Sequence, residues 1–228
     1  MKPQAVIFDF NGTISDDEPL LDRLFREVLG EVGVELTSET YFAELSGLSD
    51  PEIVERALEL GGVEADRARR AELLRRKVDR YKEEVLREPT VRDGVAEFVR
   101  EVAELVPVAI ASGAVREEVV FVLEQAGLLK LFPVIVTIDD VERGKPHPEG
   151  YLLALAKLDS HLPLDRSIIA GNVLAIEDSD SGVAAAKAAG MRCVAISGPA
   201  YTGEPVAADL VVNGLDATPV EEALRAGA

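Results

Sequence analysis

The sequence has very little cysteine and no long hydrophobic run. Cys193 is its only cysteine, so no disulfide forms within the chain, and its apolar neighbours indicate a buried strand rather than a reactive thiol. No run of about 18 apolar residues passes without a charge. The first residues, MKPQAVIFDF, have neither the apolar core nor the cleavage site of an export signal. These absences predict a cytoplasmic protein without a transmembrane helix.

Basic residues are also scarce. The chain has 24 Lys and Arg against 42 Asp and Glu, which gives a formal net charge of -18 at pH 7. Such a charge repels nucleic-acid backbones and anionic lipid surfaces, so we expect neither as a partner. A small anion would need a local cation or a nest of backbone N–H groups to bind. The rest of the composition, 47% hydrophobic and 29% charged, is that of a folded globular protein.

Six short apolar segments have the character of buried strands. Most are continuous rather than alternating runs, which is typical of parallel strands covered by helices on both faces. Helical patterns, two of them closed by glycine, separate the later strands. This alternation predicts an α/β fold with a doubly wound parallel sheet. The predicted strands are residues 5–10, 106–111, 134–138, 173–176, 193–196 and 210–212.

The segment that follows the first strand breaks this alternation. Helical periodicity covers residues 20–32, 52–60 and 65–86, and no strand pattern lies between them. An all-helical block at this point predicts a helical subdomain joined to the α/β core by two crossings of the chain. We expect a core domain of residues 1–15 and 89–228 and a helical cap domain of residues 16–88.

Polar residues follow several predicted strands at the edge where parallel strands end. In an open α/β sheet, ligands bind at this edge. Each of these features alone also suits a turn, a helix cap or a solvated loop. Adjacent carboxylates repel each other unless a cation lies between them, and Mg²⁺ bound by carboxylates and a substrate phosphate suits such a pair. The candidates are Asp9, Asn11, Gly12 and Thr13 after the first strand, Ser112 and Gly113 after the second, Lys145 in GKPHP, and the pair Glu177 and Asp178.

In this order, the motifs resemble those of the haloacid dehalogenase superfamily of phosphotransferases. The matching segments are DFNGT with its continuation DDEP, IASG, GKPHPEGY and EDSDSGVAAAKAAGM. The insert, with LSGLSDPEI and KVDRY, is similar to the cap of the branch that includes β-phosphoglucomutase and phosphoglycolate phosphatase. The resemblance implies a Rossmann-like core with an inserted helical cap. It also implies a phosphoric monoester hydrolase that acts on a small phosphorylated metabolite, and we expect a monomer or a homodimer.

The resemblance also implies roles for single residues. Asp9 would be the nucleophile that forms an aspartyl phosphate. Mg²⁺ would be bound by the carboxylates of Asp9 and Asp178 and the backbone carbonyl of Asn11, with Glu177 as a further or water-mediated contact. The phosphate-binding candidates are Gly12, Thr13, Ser112, Gly113 and Lys145.

Two basic residues outside the motifs are candidates for substrate contact. Lys77 lies where related caps place a lysine that faces the leaving group, and Arg116 lies near the start of the helix after Ser112. Both also suit a solvated helix surface. We expect the cap to select the substrate and to exclude water when it closes.

The chain departs from the superfamily at Asn11. The resemblance places there an acid that protonates the leaving oxygen and later activates water, and an amide cannot transfer that proton. Three explanations stay open: a phosphatase assisted by the substrate or by Asp16, Asp17 or Glu18; a slow enzyme with a long-lived aspartyl phosphate; or an inactive relative or engineered variant. Further alternatives are a non-catalytic phosphate-ligand binding protein, a phosphomutase and a 2-haloacid dehalogenase.

Overall fold

Six parallel strands form one sheet in the computed structural model, which describes residues 2–161 and 167–226. The strand order is β3-β2-β1-β4-β5-β6, and every neighbouring pair is parallel. All six predicted strands are present, and the predicted doubly wound α/β fold is confirmed. Their bounds are β1 Ala5–Phe8, β2 Val108–Ala111, β3 Val134–Val136, β4 Val173–Glu177, β5 Arg192–Ile196 and β6 Leu210–Val212.

The position of β1 at the centre of the sheet decides where a ligand binds. The chain moves outward from β1 through β2 to β3, then returns to build β4 on the other side of β1. In the register of β1 and β4, Phe8 lies beside Ile176, so the residues after both strands are neighbours. A reversal of strand order of this kind opens a crevice at the carboxyl ends of the strands.

Helices cover both faces of the sheet, as the continuous apolar strands require. Alternate residues of β1 enter different cores: Val6 and Phe8 pack in one hydrophobic cluster, and Ala5 and Ile7 in the other. Sequence periodicity located most helices but missed α2, α5 and α9. The helices are α1 Glu18–Gly30, α2 Ser38–Glu44, α3 Asp50–Leu60, α4 Arg67–Arg87, α5 Asp93–Leu105, α6 Arg116–Gln125, α7 Glu149–Ser160, α8 Asp180–Ala188 and α9 Val220–Leu224.

Helices α1 to α4 follow β1 without an intervening strand. Prolines in the first turns of α1 and α3 and a capping box at the start of α3 define where these helices begin. In that capping box the backbone N–H of Ser49 donates to Glu52 Oε2 at 2.9 Å. The predicted division into a core and a cap at residues 16–88 stays a prediction, and we use the term helical segment for α1 to α4. Across the described residues, every helix is too short or too polar to cross a membrane.

Candidate active site

Three acidic side chains meet where β1 and β4 end. Asp9 follows β1, Glu177 is the last residue of β4, and Asp178 comes next. The backbone N–H of Asp9 donates to the Ile176 carbonyl at 2.8 Å, which keeps the ends of β1 and β4 side by side. Each acid contributes one carboxylate oxygen to a group of atoms that lie within 4.8 Å of one another. The structure thus brings together the acids of the predicted metal site from two distant stretches of chain.

Lys145 supplies a positive charge to this cluster. Its Nζ lies 2.5 Å from Asp9 Oδ1 and 2.5 Å from Glu177 Oε1, and its side chain is 14% exposed. Tyr151, on α7, donates its hydroxyl to the same Glu177 oxygen at 2.5 Å. Glu177 is fully buried and accepts hydrogen bonds from both Lys145 and Tyr151. It therefore keeps the Lys145 ammonium beside Asp9.

Lys145 does not balance the charge of the three acids. Burial lowers the pKa of the Lys145 ammonium, but the charges of Asp9 and Glu177 outweigh burial and raise it overall. Burial raises the pKa of Glu177, against the lowering effect of Lys145. Burial, and then the charges of Asp9 and Glu177, raises the pKa of Asp178 well above its ordinary value. Without a further cation, the charged form of Asp178 is therefore disfavoured.

Gly12 makes room for Asp178. Its φ of 72° is in the left-handed region, and a Cβ atom there would lie 1.9 Å from Asp178 Oδ2. The backbone N–H of Gly12, one of the phosphate-binding candidates, donates to the Ser15 carbonyl at 2.7 Å. The hydroxyl of Thr13 is buried, and within the described residues it has no hydrogen-bond partner. A buried hydroxyl without a partner suits the predicted contact with a ligand.

The predicted phosphate-binding residues after β2 have different surroundings. Ser112 Oγ accepts the backbone N–H of Ala114 at 3.0 Å, which is a local turn contact. Gly113 lines a cavity above the acids, and its carbonyl accepts the backbone N–H of Asp50 at 3.3 Å. The loop after β2 therefore contacts the start of α3 at the sheet edge.

The amide of Asn11 is held by a neighbouring carboxylate. Asn11 Nδ2 donates to Asp17 Oδ2 at 3.0 Å, and the same oxygen accepts the hydroxyls of Ser15 and Tyr81. Asp17 is 1% exposed, and burial raises its pKa to about 6 against the effect of these donors. This contact is not predictable from the sequence, because the acidic run after Asn11 is also typical of a solvated helix start.

A cavity of about 50 Å³ lies between the sheet edge and the helical segment. We call its two sides the sheet-edge wall and the helical wall. Several residues of the helical wall were not predicted as site residues, because they lie at helix starts that show no metal-binding or phosphate-binding pattern. The sheet-edge wall contains Asp9, Asn11, Gly113, Lys145 and Asp178, and the helical wall contains Glu18, Leu21, Tyr41, Ser49, Asp50 and Ile53.

The two basic candidates for substrate contact do not line this cavity. Lys77 is 1% exposed, and its Nζ lies 2.6 Å from Glu118 Oε2 and 3.1 Å from Asp50 Oδ2. Arg116 donates to Asp140 Oδ2 at 2.5 Å and to the Ile135 carbonyl at 2.8 Å. Both side chains pair with acids of the protein itself, and a contact of either one with substrate stays a prediction.

Comparison with known proteins agrees with this geometry. The haloacid dehalogenase-like hydrolase family matches residues 6–196. A phosphorylated carbohydrates phosphatase of Thermotoga maritima is 32% identical over 192 residues, which are 83% of this chain and 82% of that protein. A phosphoglycolate phosphatase of Yersinia pseudotuberculosis is 29% identical over 209 residues, which are 90% of this chain and 85% of that protein.

Solved structures show the same similarity. A mutant of CbbY from Rhodobacter sphaeroides, in complex with xylulose-(1,5)bisphosphate, superposes with a TM-score of 0.81 at 28% identity, covering 94% of this chain and 96% of that one. A β-phosphoglucomutase of Clostridium difficile, at 21% identity, shares the fold with a TM-score of 0.82 over 97% of each chain. The predicted superfamily and the predicted enzyme class, a phosphoric monoester hydrolase, are confirmed. The chain belongs to the haloacid dehalogenase-like hydrolases.

Proposed function

We propose that this chain is a Mg²⁺-dependent phosphatase of small phosphorylated metabolites, with Asp9 as the nucleophile. The observation that carries the proposal is the contact of Asp9 with Lys145 beside two further acids at the crevice of the sheet. A lysine at this place neutralises charge on a transferring phosphoryl group and leaves a carboxylate beside it to attack phosphorus. The phosphatase names of the relatives support the same reaction.

The donor set fits a divalent metal ion. Carboxylate and carbonyl oxygens are the protein ligands of Mg²⁺, and three carboxylates meet here beside the one ammonium of Lys145. The carboxylates of Asp9 and Asp178 and the carbonyl of Asn11 would hold the ion, and Glu177, bonded to Lys145 and Tyr151, would contact it only through water. When bound, Mg²⁺ offsets negative charge on the phosphoryl oxygens.

The reaction proceeds in two steps on the residues of this chain. A carboxylate oxygen of Asp9 forms a bond to phosphorus while the bond to the leaving oxygen breaks and that oxygen takes a proton. Water then attacks phosphorus of the aspartyl phosphate, releases phosphate and restores Asp9. Lys145 stabilises the phosphoryl oxygens throughout, because neutralising their charge is the main part of such catalysis.

Glu18 is the acid best placed to supply the proton that Asn11 cannot transfer. Of the three acids that follow the nucleophile loop, Asp16 is exposed and pairs with Arg92, and Asp17 is bonded to the Asn11 amide. Glu18 lines the cavity, and burial raises its pKa to about 7. It therefore holds a proton near neutral pH and would take one back from the attacking water in the second step.

The helical segment would act as a cap that opens to admit substrate. A cavity of about 50 Å³ between the two walls is much smaller than the roughly 300 Å³ or more of ligand pockets. Substrate entry thus requires the helical wall to move away from the sheet edge. Closure would then exclude bulk water from the aspartyl phosphate.

A non-catalytic phosphate-binding protein is the second candidate, and the position of Asn11 favours it. The experiment measures phosphate release from p-nitrophenyl phosphate and a panel of phosphorylated metabolites, with Mg²⁺ or with EDTA. We expect Mg²⁺-dependent release that Asp9→Asn abolishes, that Asn11→Asp increases, and that the surface control Asp79→Asn leaves unchanged. Binding without release at high protein concentration supports the second candidate, and halide release from a 2-haloacid without metal supports a dehalogenase.

A further inference from the structure

Among the described residues, the helical wall lines the cavity with two acids and with no basic side chain. Glu18 from α1 and Asp50 from α3 line the cavity together with the hydroxyl-bearing residues Tyr41 and Ser49. Among the described residues that line the cavity, Lys145 is the one basic side chain, and it belongs to the sheet-edge wall. The phosphoryl group binds at that wall, so the leaving group of the substrate meets the helical wall.

The charge of Lys77 does not reach the cavity. Its ammonium lies between Asp50 and Glu118, both nearly or fully buried, and over the rings of Phe25 and Tyr81 at 4.9 and 5.3 Å from their centroids. Burial raises the pKa of Glu118 and so favours its neutral form, which leaves the Lys77 ammonium paired mainly with the charged Asp50. Lys77 therefore reduces the charge of Asp50 but offers no donor to an anionic substrate.

The pKa of the Tyr41 hydroxyl is affected by the same nearby acids. Burial, and then the charges of Glu18 and Asp50, raises the pKa of the Tyr41 hydroxyl well above its ordinary value. This hydroxyl stays protonated and is available as a hydrogen-bond donor. The helical wall thus offers hydroxyl groups and carboxylates, which bind neutral hydroxyls and ammonium groups and repel anions.

We propose that the leaving group this cavity accepts is an uncharged or amine-bearing alcohol, and that esters with a carboxylate or a second phosphate on the leaving group are rejected. The proposal rests on the proposed phosphatase function and narrows its substrate class. An added anion would find no free cation at this wall, because Lys77 is already paired with Asp50, and it would lie against the Glu18 carboxylate once that group is ionised. The phosphoglycolate in the name of one relative and the xylulose bisphosphate bound in one solved structure both carry a second anionic group of this kind.

Three two-carbon phosphate esters that differ only at the far end of the leaving group test the proposal. They are 2-hydroxyethyl phosphate, 2-aminoethyl phosphate and phosphoglycolate, assayed with Mg²⁺ at pH 8 for kcat/KM. We expect the hydroxyl and amine esters to exceed phosphoglycolate by about tenfold or more, because like charges at close range in a partly buried site repel strongly. An equal or higher kcat/KM for phosphoglycolate overturns the proposal.

The variant Asp50→Asn sharpens this test. It removes one charge of the helical wall and keeps an oxygen that can contact Lys77, so we expect the penalty on phosphoglycolate to fall severalfold. The control Asp79→Asn makes the same change of net charge on the exposed face of α4, where Asp79 pairs with Arg75 at 2.7 Å, and should leave the ratio unchanged. An equal response in both variants contradicts a role for the helical wall.

A binding measurement separates this proposal from the phosphatase function. Calorimetry with Asp9→Asn in Mg²⁺ gives dissociation constants for the three esters without turnover. If the wild-type protein releases no phosphate from any ester, the phosphatase function fails, and the order of these constants still decides the charge preference. Weaker binding of phosphoglycolate than of 2-hydroxyethyl phosphate supports the preference, and equal or tighter binding refutes it.

Discussion

The two walls of the cavity differ in the charges that they present to a ligand. On the sheet-edge wall, Lys145 contacts Asp9 beside Asp178, where we propose that a phosphoryl group and a metal ion bind. On the helical wall, Glu18 and Asp50 face the same space, and the nearby Lys77 is already paired. In the proposed function, strand-end residues bind and attack the phosphoryl group, and residues at helix starts contact and protonate the leaving group.

The strongest way to break this arrangement is to remove the buried cation behind the helical wall. Lys77→Met would leave Asp50 and Glu118 buried without a counter-ion, and we expect a loss of about 3–5 kcal/mol in the free energy of unfolding. Denaturant unfolding measures it. The control Lys82→Met, on the same helix but paired with Glu117 at the surface, should cost less than about 1 kcal/mol. A small loss in Lys77→Met would show that the buried cluster does not stabilise the fold.

Removing the cation of the sheet-edge wall should lower turnover in addition to any loss of stability. In Lys145→Met the phosphoryl oxygens lose their ammonium donor, and we expect kcat/KM to fall by about 10²–10³-fold. The control is Lys187→Met, which breaks an exposed pair with Asp209 at 2.9 Å. If Lys145→Met keeps most of its activity, phosphate is held by other groups and our placement of Lys145 is wrong.

The proposed role of Glu18 as the proton donor can be tested by comparing two substrates whose leaving groups differ in their need for a proton. In Glu18→Gln we expect kcat on an alkyl phosphate to fall by about 10²-fold or more, because an alkoxide needs a proton to depart. Hydrolysis of p-nitrophenyl phosphate should change much less, since its phenolate leaves unprotonated. Equal losses on both esters would assign Glu18 a structural role instead.

The pH dependence should show the same distinction with a smaller effect. Burial, and then the charges of Asp17 and Asp9, raises the pKa of Glu18 to about 7 against the lowering contacts of Ser46 and Lys77. Glu18 is therefore mostly protonated at pH 6 and mostly ionised at pH 8. We expect the ratio of alkyl to aryl kcat to decrease severalfold over this interval in the wild-type protein and to stay flat in Glu18→Gln.

The strand ends were predictable because physical constraints there leave few choices. A strand buried on both faces must be apolar throughout, so the first polar residue after it marks the sheet edge, as Asp9 and Glu177 show. Helix α5 escaped the sequence analysis, although Val95, Phe98 and Val102 have helical spacing. Helix α2 has seven residues, too few for a clear period.

The surroundings of Lys77 were harder to predict. A charged helix such as α4 is typical of a solvated surface, and its positive side chains outnumber its apolar ones. Leu73 and Tyr81, four residues before and after Lys77, place it on the buried face, which is a usable indication. Its partner Glu118 belongs to another helix, so only the tertiary structure shows that the cation is already paired.

The close approach of Gly12 to Asp178 has a consequence for how other chains of this kind are interpreted. A methyl group at position 12 would occupy the space of a carboxylate oxygen, so Gly12→Ala would displace Asp178 although every acid remains in the sequence. Counting acids is therefore an incomplete criterion for an intact centre. We therefore expect a related chain that keeps all its carboxylates but has a larger residue in place of Gly12 to be inactive.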